Sequence, residues 1–230
     1  NQGFNDHRVF SNYGIILHDL GNLKEAYLST RKAIKIKPDF AEAHYNLGNI
    51  LTDLGNLKEA ELSYRKAIEI KDDYPEAYYN LGNILNDLGN LKEAELSYRQ
   101  AIEIKPDFAV VHSNLGNILT DLGKLKEAEL SYREAIEIKP DFADAHSNLG
   151  NVLKDLGKFY NAIDHYKKAI QFNNELSIAK SGLIETKGLI CDWNDQETQA
   201  IVLNKLGIDG SSVNPLGLFY LEDNPLKQLK

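Results

Sequence analysis

The chain has 230 residues, with 34 acidic and 26 basic side chains, a formal charge of −8 and 43% hydrophobic residues. This composition fits a soluble protein, and the net negative charge argues against nucleic acid or an anionic membrane surface as the default partner. Cys191 is the only cysteine, so no disulfide framework exists and a reducing, cytoplasmic setting is expected; no apolar run is long enough to span a bilayer.

From the amino terminus, Asn1–Asp6 is a polar lead. His7–Phe40 is the first of five repeats of 34 residues, followed without insertion by Ala41–Tyr74, Pro75–Phe108, Ala109–Phe142 and Ala143–Leu176. A fixed period of this size predicts stacked hairpins rather than one globular core. In Ala41–Tyr74, Leu47, Ile50, Leu51 and Leu54 fall at helical spacing and line one face of a first helix. Gly55 ends that helix. Asn56 is expected to cap a second helix through its side chain, with Glu59 completing a capping box. Ala60, Tyr64, Ala67, Ile68 and Ile70 form the apolar stripe of that second helix. The link is short, so the two helices must lie antiparallel.

Pro38, Pro106 and Pro140 stop the second helix in three other repeats, and Asp39, Asp107 and Asp141 are placed to cap the helices that follow. Gly48, Gly82, Gly116 and Gly150 sit inside helices, opposite the small Ala60, Ala94, Ala128 and Ala162. Glycine there costs about 1 kcal/mol relative to alanine, which implies close helix approach. The first repeat diverges, with Tyr13 for Leu, Ile15 for Asn and Thr30 for Tyr; the fifth lacks the Pro-Asp stop. Residues 177–192 read as a capping helix and 193–230 as the start of a following region, with further helices expected at Asp192–Leu206 and after Asn224-Pro225. The chain lacks Met and stops at Lys230 within an amphipathic segment, so it is expected to be a piece of a longer protein.

The repeated residues carry a resemblance. Position 4 of each repeat is Phe10, His44, Tyr78, His112 or His146. Leu-Gly at positions 7 and 8, Ala at 20 and 27, and Tyr64, Tyr98, Tyr132 and Tyr166 at position 24 complete the pattern, which departs at position 32 to Asp72 and Asn174. It resembles the tetratricopeptide repeat (TPR) from Asn12 to about Leu176. The resemblance implies an all-α, right-handed solenoid of antiparallel hairpins with a C-terminal capping helix, its first helices lining a concave side. A second resemblance lies in GLICDWND at Gly188–Asp195 and, more loosely, SSVNPLGLFYLEDNPLKQL. These are similar to the segment joining repeats to the catalytic region in O-linked N-acetylglucosamine transferases. That family's His-rich turn is replaced here by Asn214-Pro215-Leu216-Gly217. The second resemblance implies a glycosyltransferase whose sugar-nucleotide lobes lie beyond Lys230, with this region selecting substrates. The alternative is a stand-alone scaffold with no enzyme attached.

On the face that the resemblance assigns to partners, position 6 is Asn12, Asn46, Asn80, Asn114 and Asn148, and position 9 is Asn49, Asn83, Asn117 and Asn151. A spacing of three places each pair on one helix face. An amide offers two donors and an acceptor, so it can grip a peptide backbone whatever the side chains. Helices about 8–10 Å apart would meet about every third residue of an extended chain advancing roughly 3.3 Å per residue. The transferases use such an asparagine ladder for substrate proteins, and position 6 matches it. The plainer reading is structural, or an idle Asn copied by duplication.

Asp53, Asp87 and Asp121, with Asp19 and Asp155, occupy position 13 and suggest an acidic groove for basic or hydroxyl-rich peptides; a solvated face or pairing with neighbouring Lys is the plainer account. Tyr45 and Tyr79 at position 5 add apolar contact. Position 2 (Arg8, Glu42, Glu76, Val110, Asp144) carries no basic clamp for a C-terminal carboxylate. His44, His112 and His146 read as packing residues and Cys191 as a buried joint residue. No catalytic, metal or cofactor motif is legible. The expected partner is a protein or peptide in the groove, without nucleic acid or membrane, and bare terminal faces would allow end-to-end homo-oligomers.

Overall fold

The computed structural model describes residues 6–190. The polar lead apart from Asp6, Cys191, Trp193 and the helices expected after Cys191 lie outside the described residues. Eleven helices follow in order among them: α1 His7–Asp19, α2 Leu23–Ile36, α3 Ala41–Asp53, α4 Leu57–Ile70, α5 Pro75–Asp87, α6 Leu91–Ile104, α7 Ala109–Asp121, α8 Leu125–Ile138, α9 Ala143–Asp155, α10 Phe159–Phe172 and α11 Ser177–Leu189. The chain divides into two compact bodies, at Ala145 and His146.

In the first body α1 pairs with α2, α3 with α4, α5 with α6 and α7 with α8, and α2 packs on α3, α4 on α5 and α6 on α7. Side chains define two layers. First helices are joined by amide bonds such as Asn46 Nδ2 to Ser11 Oγ at 3.2 Å. Second helices are joined by ion pairs, Arg65 to Glu93 and Arg99 to Glu127, the latter at 2.8 Å. These pairs are exposed, and each contributes about 0.2–1 kcal/mol.

The core combines small alanines on the second helices with leucine and isoleucine on the first helices, such as Leu47, Ile50, Leu81, Ile84, Leu115 and Ile118, and one buried tyrosine ring in each of the second to fourth repeats. Ala60, Ala67, Ala94, Ala101, Ala128 and Ala135 are fully buried, as are the rings of Tyr64, Tyr98 and Tyr132. The helix-interior glycines face these rings rather than the alanines expected to oppose them. A Cβ on Gly82 would stand 2.5 Å from the Tyr98 ring, and one on Gly48 2.5 Å from Tyr64. Close approach is therefore ring against backbone.

The expected side-chain caps do not form. Asn22, Asn56 and Asn90 precede α2, α4 and α6 without a side-chain cap bond. Asn56 instead gives its backbone N–H to Leu51 O at 2.8 Å, while Gly55 N–H reaches Thr52 O at 2.9 Å. This is the Schellman closure of α3, which requires the left-handed φ of 76° at Gly55. The turn thus satisfies the end of the first helix and leaves the start of the second to solvent. Likewise Phe40 and Phe108, not the aspartates before them, occupy the cap positions of α3 and α7.

The second body contains α9 from His146 onward, α10 and α11. α10 packs on α11, and the Tyr166 ring lies against both Gly150 and Gly182. α11 occupies the span expected for the capping helix.

Candidate functional site

One hydrogen-bond motif recurs along the first-helix layer. Tyr64 donates to Asn49 Oδ1 at 2.8 Å, Tyr98 to Asn83 Oδ1 at 2.7 Å and Tyr132 to Asn117 Oδ1 at 2.7 Å. In the second body Tyr166 donates to Asn151 Oδ1 at 2.8 Å. The next repeat adds to the same acceptor: Asn80 Nδ2 reaches Asn49 Oδ1 at 3.0 Å, and Asn114 Nδ2 reaches Asn83 Oδ1 at 3.2 Å. Asn80 Nδ2 also reaches the Tyr45 hydroxyl at 3.2 Å. Burial pushes the Tyr64 and Tyr132 phenols up to about 12, and raises that of Tyr98. The neutral phenol donates its O–H, and the position-9 carbonyl, which also accepts from the Asn of the next repeat in two cases, is the atom that receives it.

This fixes the orientation of both asparagines. The position-9 carbonyl and the position-6 amino group are used within the stack. No described residue donates to Oδ1 of Asn46, Asn80 or Asn114, and none accepts from Nδ2 of Asn49 or Asn83. The second and third repeats therefore each keep one spare acceptor and one spare donor, the complement of a peptide unit. Asn46, Asn49, Asn80, Asn83 and Asn114 are half-buried, whereas Asn12 and Asn117 are exposed. Asn148 and Asn151 are half-buried in the second body.

The first repeat departs from the motif in both partners at once. Ile15 stands in place of the acceptor and Thr30 in place of the donor, and the buried Thr30 hydroxyl has no partner among the described residues. Replacing Thr30 with Val removes an unpaired buried group of similar shape. It should stabilise the chain by about 1 kcal/mol in urea unfolding.

Asp19, Asp53, Asp87 and Asp121 are the last residues of α1, α3, α5 and α7, and all are exposed. Four carboxylates thus coincide with four helix C-termini, where the macrodipole is also negative, and one rim of the face is strongly anionic. Beside it lies an open cavity of about 320 Å³, with Tyr64 and Ile84 in its lining, bordered by Asn49, Asn80, Asn83, Asp53 and Asp87. Tyr45 and Tyr79 are half-buried, their ring centres 5.0 Å from Tyr74 and 5.4 Å from Phe108.

His18 also lines the cavity, its Nε2 2.7 Å from Asp53 Oδ2. Sequence reasoning missed it because position 12 is Thr or Asn in the next three repeats. The position-4 histidines do more than pack. His44 and His112 each donate Nε2–H to the carbonyl of Pro38 and Pro106 at 2.8 Å, tying a first helix to the preceding turn. In the second body His146 and His165 share a hydrogen bond between Nδ1 atoms at 2.9 Å. Among the described residues no group of three His, Cys, Asp or Glu is arranged to hold a metal ion, and no helix is long and apolar enough to cross a membrane.

Family signatures described as "TPR repeat" match residues 14–51, 48–85 and 116–157, and one described as "Tetratricopeptide repeat" matches 75–108 and 143–175. No curated protein sequence matches the chain. Among solved structures, YrrB, described as a TPR protein with an unusual peptide-binding site, aligns with a TM-score of 0.69 at 24% identity, over 78% of this chain and 93% of its own. A MamA structure aligns with a TM-score of 0.67 at 25% identity, over 71% and 96%. Pseudomonas aeruginosa pilF aligns with a TM-score of 0.74 at 20% identity, over 87% and 91%.

Proposed function

Because this chain belongs to the tetratricopeptide repeat family, and so is a protein-interaction module, we propose that its amide-lined first-helix face holds an extended peptide by the backbone. The observation that carries this reading is the spare acceptor and spare donor left on the second and third repeats after Tyr64 and Tyr98 have fixed Asn49 and Asn83. The peptide of YrrB's description is that protein's own, but it is consistent with a peptide here. Asn46, Asn80 and Asn114 meet peptide N–H groups, Asn49 and Asn83 meet its carbonyls, and Tyr45 and Tyr79 support its side chains.

The anionic rim selects the sequence. Asp53, Asp87 and Asp121 favour Lys or Arg, whose aliphatic stems can lie over Tyr64 and Ile84 in the cavity. The test uses two labelled 15-residue peptides, one rich in Lys and Ser and one with Glu in place of each Lys. The basic peptide should bind at least about tenfold more tightly, with the gap shrinking as salt rises. Equal binding of the two, or binding by neither, would overturn the reading.

The finer proposal is that this module selects substrates for an O-linked N-acetylglucosamine transferase-like enzyme in the cytoplasm. It rests on the asparagine row together with Cys191-Asp192-Trp193, which lies outside the described residues. Reading the gene downstream of Lys230 tests it. Two nucleotide-binding lobes would support it, and a nearby stop codon would leave a stand-alone scaffold.

A further inference from the structure

The outer basic residues of α4 and α6 are neutralised within the helix. Arg65 pairs with Glu61 at 2.8 Å, and Arg99 with Glu95 at 2.9 Å. Lys66 pairs with Glu69 at 2.9 Å, and in the next repeat the neutral Gln100 takes the place of Lys66 beside Glu103. In α2 both carboxylate positions are changed. Tyr27 stands where Glu61, Glu95 and Glu129 stand later, and Lys35 where Glu69, Glu103 and Glu137 stand. Arg31, Lys32 and Lys35 are left as three exposed cations within about one turn, with no ion pair to any described residue. Arg31 meets Tyr27, whose hydroxyl is 3.3 Å away, and Lys32 meets the Phe10 ring, 4.0 Å from its centre. Neither contact brings a formal negative charge. Lys35 lies four residues from Arg31 and three from Lys32, the spacings at which like charges on a helix repel.

We propose that these cations form a binding site for a phosphate monoester. They line a cavity of about 430 Å³ between α2 and α3, completed by Ile34, His44 and Leu47. The volume lies within the roughly 300–1,000 Å³ of small-ligand sites. No acidic residue is in the lining, and none of its residues belongs to the amide row. The ligand class follows from charge and shape. A phosphate monoester carries about −1.5 to −2 near neutral pH and three acceptor oxygens, so it answers three cations better than a carboxylate does. Arg31 spends one donor on Tyr27, and its planar fork can hold two phosphate oxygens at once, while Lys32 and Lys35 act as point charges. Leu47, buried, and Ile34, half-buried, give the cavity an apolar part for the group that carries the phosphate. His44 donates Nε2–H to the Pro38 carbonyl at 2.8 Å, which ties α3 to the turn after α2 and holds the two sides of the cavity together.

Isothermal titration of the chain with phenyl phosphate, at low salt and about pH 7.5, should give a dissociation constant of about 0.1–1 mM. Benzoate, with a similar ring and a single charge, should bind at least about tenfold more weakly. Lys35→Glu restores the residue of the later repeats and should weaken phenyl phosphate at least about tenfold, whereas Lys35→Arg should retain it. Lys92→Glu makes the same charge change on the exposed face of α6 and should leave binding within about twofold, which separates a local site from net charge. These are surface positions, and circular dichroism checks that each variant is folded. A phosphoserine peptide distinguishes the sources of the phosphate. Binding tighter than phenyl phosphate and lost in Lys35→Glu supports the site as one for a phosphorylated partner protein; binding no tighter supports it as one for a free phosphate ester. No binding of phenyl phosphate at about 10 mM, equal binding of benzoate, or a loss in Lys35→Glu no larger than that in Lys92→Glu would each overturn the proposal.

Discussion

Gly82→Ala should destabilise the chain by about 1–3 kcal/mol, the usual range for overpacking a well-filled core. The sign opposes simple propensity. Alanine inside an exposed helix is about 1 kcal/mol better than glycine. Here the added Cβ would stand 2.5 Å from one carbon of the Tyr98 ring and 2.7 Å from another. The ring cannot withdraw. It is 2% exposed, and its hydroxyl is held by Asn83 at 2.7 Å. Relief by tilting the ring would break the bond that orients the amide row, so packing and site geometry fail together. A double-mutant cycle separates these terms. In a Tyr98→Ala background, itself about 3–5 kcal/mol less stable, Gly82→Ala should become neutral or stabilising. Urea midpoints of the four proteins check this. A single Gly82→Ala variant more stable than the parent would show that the contact has slack.

The fold was legible because a 34-residue period repeats its helix pattern five times, and each Gly-Asn or Gly-Lys turn recurs at one register. What the sequence could not say was which partner each polar residue chooses. Asn56 looks like a helix cap by residue type, yet the left-handed Gly55 before it commits its N–H to Leu51. Gly48 looks like a seat for Ala60, because small residues suggest one another; the contact is made by Tyr64, one turn further along the same helix. The asparagines were found as a row and read as equivalent. Their division of labour depends on a tyrosine fifteen residues away, which spacing alone does not reveal.

That division of labour yields the sharpest test of the peptide-binding reading. Changing Asn46, Asn80 and Asn114 together to Ala removes the three spare acceptors. Each loses a half-buried amide bond of about 0.5–1.5 kcal/mol and regains part of this in helix propensity. No acceptor is orphaned, because Asn49 and Asn83 keep the hydroxyls of Tyr64 and Tyr98. The triple variant should therefore unfold within about 2 kcal/mol of the parent while binding the Lys- and Ser-rich peptide at least about tenfold more weakly. Asn83→Ala behaves differently. It strands the buried Tyr98 hydroxyl, so one substitution should cost about 1–3 kcal/mol. If the triple variant captures the peptide as the parent does, the position-6 amides serve only to join repeats, and the backbone-gripping role falls. If Asn83→Ala is as stable as the parent, the tyrosine does not orient the row, and the free donor and acceptor on the second and third repeats lose their physical basis.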